Sequence, residues 1–228
     1  MRGAIFTLFD YITGNGNLIT VVLSFFSVFV IIFLCFPFHE CAHAFVAHLL
    51  GDDTASEQGR LTLNPLVHID PMGALCMCLC NIGWAKPTPV DIRRCRKVSV
   101  RTADILVSVA GPVSNIILAL ILMIISKVLL VTIAPSTTLI YVVMALQMTA
   151  NINAFLAVFN LLPIPPFDGY ALIQGVLPRK AAIWVEQHAQ IINFIVLILM
   201  IAGALSGPLN FLSDKIMWVL DKATSFIH

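Results

Sequence analysis

Charge is what this sequence has least of. Asp, Glu, Lys and Arg make up 11% of its 228 residues, where a water-soluble domain carries about 25%. With 59% hydrophobic residues and a mean hydropathy of +0.96, the chain holds more apolar surface than a core of its size can bury. The excess must face lipid, which excludes a soluble single domain. The net charge of +1 leaves no basic field to draw nucleic acid, and no block of like charges marks a disordered tail. The six cysteines (Cys35, Cys41, Cys76, Cys78, Cys80, Cys95) sit mostly in apolar surroundings. That suits membrane-embedded thiols better than a secreted disulfide framework. The opening MRGAIFTLFDYITGNGN has one basic residue and a short apolar run broken by Asp10, too weak for a cleavable signal peptide.

What is there in quantity is apolar runs of membrane-crossing length, roughly 20 residues as a helix. They cover Leu18 to Leu50, Ile105 to Ala134, Thr138 to Leu162 and Ile183 to Leu205, the last with Glu186, His188 and Gln190 in its first turns. Pro208 to Phe226, with Asp214, Lys215, Asp221 and Lys222, reads as an amphipathic interfacial or partly exposed helix. Between the first two runs, Leu61 to Leu63 alternates like a strand, and six Pro and Gly residues from Pro65 to Pro89 punctuate an apolar stretch. Such breaker density predicts a re-entrant or membrane-dipping loop. The expected fold is an all-α membrane protein, a polytopic helical bundle of about four to six spans with a short β-like or re-entrant segment, in one domain covering residues 1–228.

Arg60, Lys86, Arg93, Arg94, Arg96, Lys97, Arg101, Arg179 and Lys180 are nine of the thirteen basic residues. The intervening spans go out and back, so all nine share one side, which the positive-inside rule makes cytosolic. The arginines and lysine of 93–97 are expected to orient the chain and meet anionic lipid heads. A multi-pass protein of a cell membrane follows, with bilayer lipid as its surroundings and the cytosolic end of the first span nearest the polar loops.

That end carries His39-Glu40-Cys41-Ala42-His43, an HExxH sequence. On a helix its two histidines share a face and can hold one metal ion, with Glu40 beside them placed to take a proton from water. An acid in a spanning helix costs roughly 2.5–3.5 kcal/mol at the bilayer centre, so Glu40 needs a reason to be there, and a cation supplies one. A catalytic zinc site wants a third protein ligand. Val46 and Leu49 occupy the positions that would continue a metzincin motif, and His48 lies off the shared face. Glu57, Asp70 and Asp168 remain as third-ligand candidates. Asp168 follows Pro163, Pro165 and Pro166, which force irregular backbone where it must line protein or a wet cavity. An N-cap of a helix starting at Gly169 is its plainer role. The Cys76-x-Cys78-x-Cys80 alternation reads as small side chains in an apolar loop, since a tetrahedral structural site would need a fourth ligand.

HExxH on a hydrophobic helix followed by Asn160-x-x-Pro163 and Asp168-Gly169 on a later one resembles the site-2 protease family of intramembrane zinc metalloproteases. Residues 59–75, Gly83 to Pro87 and Gly111-Pro112-Val-Ser-Asn115 resemble further motifs of its compact members, which lack PDZ and CBS domains. Cys41 and Phe167 depart from the residues usual at those places. The resemblance implies one Zn2+ per chain held by His39, His43 and Asp168, with Glu40 as general base and Asn115 and Asn160 as substrate contacts. It implies hydrolysis of peptide bonds in or near transmembrane segments of membrane-protein substrates. On the strand-like reading of its residues, Gly59 to Asn64 is expected to offer an open edge for an unwound substrate to pair with. A metal transporter would stage polar ligands across the bilayer, and the outer halves of the spans are nearly bare of them. An inactive membrane adaptor would not need Glu40.

Overall fold

The computed structural model describes residues 3–174 and 176–227. The side chain of Arg179, one of the nine basic residues above, lies outside the described residues. The described chain is helical and forms no strand. Three helices are long and apolar enough to cross a membrane: Leu18–Leu50, Val100–Thr132 and Thr137–Asn160. Lys180–Gln187 and Ala189–Ile201 pass the same test as a pair, bent by 66° between them. The chain is thus a polytopic helical membrane protein, with up to four candidate spans among the described residues when the bent pair counts as one.

The chain divides into two compact units, Met1–Gly111 with Ile201–Gly203, and Pro112–Met200 with Ala204–His228. In the first, α1 (Ala4–Ile12) packs beside α2 (Leu18–Leu50), and α3 (Thr54–Glu57) is a single turn in the loop after it. The apolar stretch beyond folds as α4 (Pro71–Cys80), too short to span. Its breakers are punctuation. Pro65 and Pro71 open a 3-10 turn and α4, where no N–H is needed, and Asn64 and Asp70 cap them. Asn81 closes α4 in the left-handed region at φ 56°. Ala4, Val28, Ile32 and Met77 form the buried cluster that joins α1, α2 and α4.

Leu61 to Leu63 does not form the expected strand. Thr62 is held locally instead: its carbonyl accepts from His68 Nε2 at 2.8 Å and its hydroxyl from the Asn64 N–H at 3.2 Å. The one sheet-like contact among the described residues is an antiparallel bridge between Ile69 and Ala85. The 93–97 cluster also does more than face lipid heads. Arg94 grips both Glu57 oxygens at 3.2 Å, and Lys97 Nζ donates to the Leu49 carbonyl at 2.6 Å, where the negative end of α2's dipole favours a cation.

α5 (Val100–Thr132) runs from the first unit into the second. There, α6 (Thr137–Asn160) buries Ala150, Ala154 and Ala157 along one face, the small residues that let membrane helices approach closely. After α7 (Gly169–Gln174), α8 (Arg179–Gln187) ends at His188, whose Nδ1 and backbone N–H both donate to the Trp184 carbonyl. α9 (Ala189–Ile201) then sets off in a new direction. α10 (Ser206–Ala223) is the amphipathic helix of the C-terminal stretch. It packs against α6, burying Leu209, Ser213 and Leu220, and its Asp221 pairs with Lys127 of α5 at 2.8 Å.

Candidate metal centre

The HExxH sequence lies in the last part of α2, behind a local distortion. Pro37 has no N–H and would clash with the carbonyl four residues back in regular helix. The turn before it widens into a π-helix over Ile31–Cys35, with the Phe36 N–H donating to the Ile31 carbonyl, the usual way for a long helix to absorb such a residue. From Phe36–Leu50 the helix is regular again, so positions four apart stack. It stops at Gly51, φ 108°, where the Gly51 and Asp52 N–H groups return to the His48 and Ala47 carbonyls.

His39 and His43 are both buried, and their Nε2 atoms lie 3.0 Å apart. Two ligands of a tetrahedral zinc, each about 2.0–2.1 Å from the ion, stand about 3.3 Å apart, so the pair is close to the separation a zinc ion needs. His43 Nδ1 donates to the Val107 carbonyl at 2.7 Å. That bond fixes the tautomer and leaves the Nε2 lone pair for a metal. Space is kept by Gly111. A Cβ there would lie 2.4 Å from His43 Nε2 and 2.6 Å from His39 Nε2. The donor set, the fixed tautomer and the reserved space fit a zinc ion.

Glu40, between the two histidines, is tied to a different part of the chain. The Thr88 N–H donates to its Oε2 at 2.7 Å, and the Thr88 hydroxyl to its backbone carbonyl at 3.0 Å. The first unit's other ligand candidates are engaged elsewhere. Glu57 binds Arg94, Asp70 accepts the Gly73 N–H at 2.7 Å as the cap of α4, and His48 Nδ1 pairs with Asp53 at 2.5 Å on the surface. Cys80 Sγ donates to the Cys76 carbonyl inside α4, and all six cysteines are free thiols.

Three expected site residues belong to the second unit. Asn115 is fully buried in α5. Asn160 closes α6 with its Nδ2 donating to the Leu156 carbonyl at 3.0 Å. Asp168 immediately precedes α7, and its backbone carbonyl accepts the Ala171 N–H at 3.2 Å. Gly169 is required beside it, since a Cβ there would come within 2.2 Å of the Leu161 carbonyl. Sequence reasoning did not find Val107, whose contribution is a backbone carbonyl and carries no residue signal. Thr88 was also missed, although the sequence does mark it as the one backbone donor in Pro87-Thr88-Pro89.

The family model described as Peptidase family M50 matches residues 128–203, the stretch that carries Asn160 and Asp168. "Putative zinc metalloprotease YwhC" of Bacillus subtilis (strain 168) is 41% identical over 176 residues, 75% of this chain and 78% of its own length. The chain belongs to peptidase family M50, the site-2 protease family. "Putative zinc metalloprotease Rip2" of Mycolicibacterium smegmatis is 28% identical over 95% of this chain and 86% of its own length. The Rip2 of Mycobacterium tuberculosis (strain H37Rv) is 30% identical over 80% and 68%. No solved structure matches this M50 chain. Family membership assigns it to the metalloproteases and names zinc as the metal.

Proposed function

We propose that residues 1–228 act as one integral-membrane metalloprotease domain that hydrolyses peptide bonds in or near transmembrane segments of membrane-protein substrates. The observation that carries this reading is the paired Nε2 atoms of His39 and His43 on a membrane-length helix, with Glu40 between them. His39, His43 and Asp168 would hold one zinc ion per chain. Asp168 takes the third place because Glu57 and Asp70 are spent on Arg94 and on the α4 cap, and because it stands in the matching family motif. Zinc, when bound, polarises the scissile carbonyl and makes a neighbouring water acidic enough to react near neutral pH.

The residues of this chain do the rest. Glu40 takes the proton of the attacking water and delivers it to the leaving amine. The Val107 carbonyl keeps His43 in the tautomer that leaves Nε2 unprotonated. Asn115 and Asn160 contact the substrate backbone, Asn160 with what its bond to Leu156 leaves over. The basic residues put the Glu40 end of α2 on the cytosolic side of a cell membrane.

The test is zinc content and hydrolysis of fluorescein-labelled casein by detergent-purified protein, wild type beside Asp168→Ala and Glu40→Gln. The expected result is near-stoichiometric zinc in wild type and Glu40→Gln, a sharp fall in Asp168→Ala, and hydrolysis in wild type alone. Zinc retained in Asp168→Ala removes that residue from the ligand set. Hydrolysis that survives Glu40→Gln removes the protease mechanism.

A further inference from the structure

We propose that Thr88 is the positioning residue of the general base, and that the segment around it is a strap braced by Arg60 for that purpose. The assignment rests on the protease reading of Glu40. A glutamate has three side-chain torsions, and holding them costs rotamer entropy. A base that must meet a water molecule at hydrogen-bond distance works best when that cost is met before substrate arrives. The Thr88 N–H reaches Oε2 at 2.7 Å, a charge-assisted length. An ionised carboxylate has about four acceptor sites, so one such bond orients the group and leaves capacity for a proton. The Thr88 hydroxyl, at 3.0 Å from the Glu40 carbonyl, fixes the backbone of the same residue. One threonine therefore holds Glu40 at both ends.

The strap is built so that this donor cannot wander. Pro87 and Pro89 flank Thr88, have no N–H of their own and keep the residues before them extended. Arg60 Nη2 donates to the Lys86 carbonyl at 2.6 Å and the Pro87 carbonyl at 3.2 Å. The Lys86 N–H donates to the carbonyl of His68 at 2.8 Å, and His68 is fully buried. Arg60 is itself buried and makes no ion pair among the described residues. A buried guanidinium is costly to keep without a carboxylate, and here its hydrogen bonds go to the two carbonyls directly before Thr88. Proline at 88 removes both donors, valine removes the hydroxyl alone, and serine keeps both.

The experiment uses the full zinc-loaded chain in detergent with labelled casein as probe. Thr88→Pro is expected to lose about a hundredfold in kcat, the scale of a misplaced catalytic group, with KM within about twofold and zinc content unchanged. Thr88→Val falls between Thr88→Pro and wild type, and Thr88→Ser recovers most of kcat. Because Thr88→Pro can fail to fold, amide exchange supplies a second reading. In peptides covering 86–90, Glu40→Ala should speed exchange of the Thr88 amide at least tenfold, Pro87 and Pro89 contributing none. Unchanged Thr88 exchange in Glu40→Ala, or parallel losses of kcat, KM and zinc in the valine and serine variants, overturns the assignment while wild-type hydrolysis stands. A wild-type chain with no Glu40-dependent hydrolysis overturns the protease reading, and this assignment with it.

Discussion

Gly111 makes the sharpest residue-level prediction. Its missing Cβ is space immediately in front of both Nε2 atoms. Alanine is the better helix former by about 1 kcal/mol, so Gly111→Ala gives no reason for α5 to unfold. Its methyl instead meets the far ends of two histidine rings, which can swing aside and lose their common focus. The expected outcome is helicity at the wild-type level, with zinc, measured by elemental analysis, far below one per chain and the thermal midpoint lower only by what bound metal contributes. Full zinc occupancy in that variant would mean that the two imidazoles do not face Gly111 as described. At this scale the sequence was legible where chemistry is written in side chains: the spacing of His39 and His43 alone predicted a shared face. It was silent on Val107, because any residue supplies a carbonyl. It was misleading on Arg94 and Lys97, whose positive charges read as lipid-facing until their partners Glu57 and Leu49 came into view.

At the scale of elements, the apolar runs predicted the helices closely. Leu18 to Leu50 was read as a single span and is one continuous helix of crossing length, and the polar turns at Glu186, His188 and Gln190 fall where α8 gives way to α9. The strand at Leu61 to Leu63 failed because alternation reports only which way side chains face. The strand needs a partner, and His68 takes the Thr62 carbonyl first. The connection after α2 is held by a carboxylate that no pattern marks. Asp52 is fully buried and accepts the Asp91 N–H at 2.7 Å, the Thr54 N–H at 3.0 Å and the Thr54 hydroxyl, with Arg94 Nε at 3.8 Å. Burial works against its charge, but the hydrogen bonds from Thr54 and Asp91 and the Arg94 charge outweigh it and hold the carboxyl below its ordinary value. The unfolded chain therefore takes up this proton first on acidification. Asp52 contributes its stability above about pH 4, the ordinary carboxylate value, and loses it as pH falls from there through the lowered folded value. Asp52→Asn should cost about 1–3 kcal/mol at neutral pH and flatten the acid limb. Thermal midpoints in detergent from pH 7 down to pH 3 measure both, and a mutant curve parallel to wild type at every pH would show that Asp52 is not charged in the fold.

For the whole molecule, the prediction concerns which way the chain sits in its membrane. Apolar length says that α2, α5 and α6 can cross and nothing about direction. Direction comes from the basic residues that cluster between 60 and 101 and at 179–180, against the short exposed turn between α5 and α6, residues 133–136, which has none. The structure removes some weight from that cluster, because Arg60 is buried, Arg94 is paired and Lys97 caps α2. Arg93 and Arg96 remain exposed, and the turn at 133–136 still carries no cation, so the sign of the asymmetry survives. A cysteine placed at Ala134 should then react with a membrane-impermeant thiol reagent added to intact cells, and one placed at Arg93 should react only after the cells are opened. Both are compared with the wild-type chain, whose six cysteines set the background. The reverse pattern would put Glu40 and Thr88 at the outer face and require substrates presented from there. It would leave the chemistry of His39, Glu40 and His43 untouched, since that rests on a helix and its strap and not on which compartment they meet.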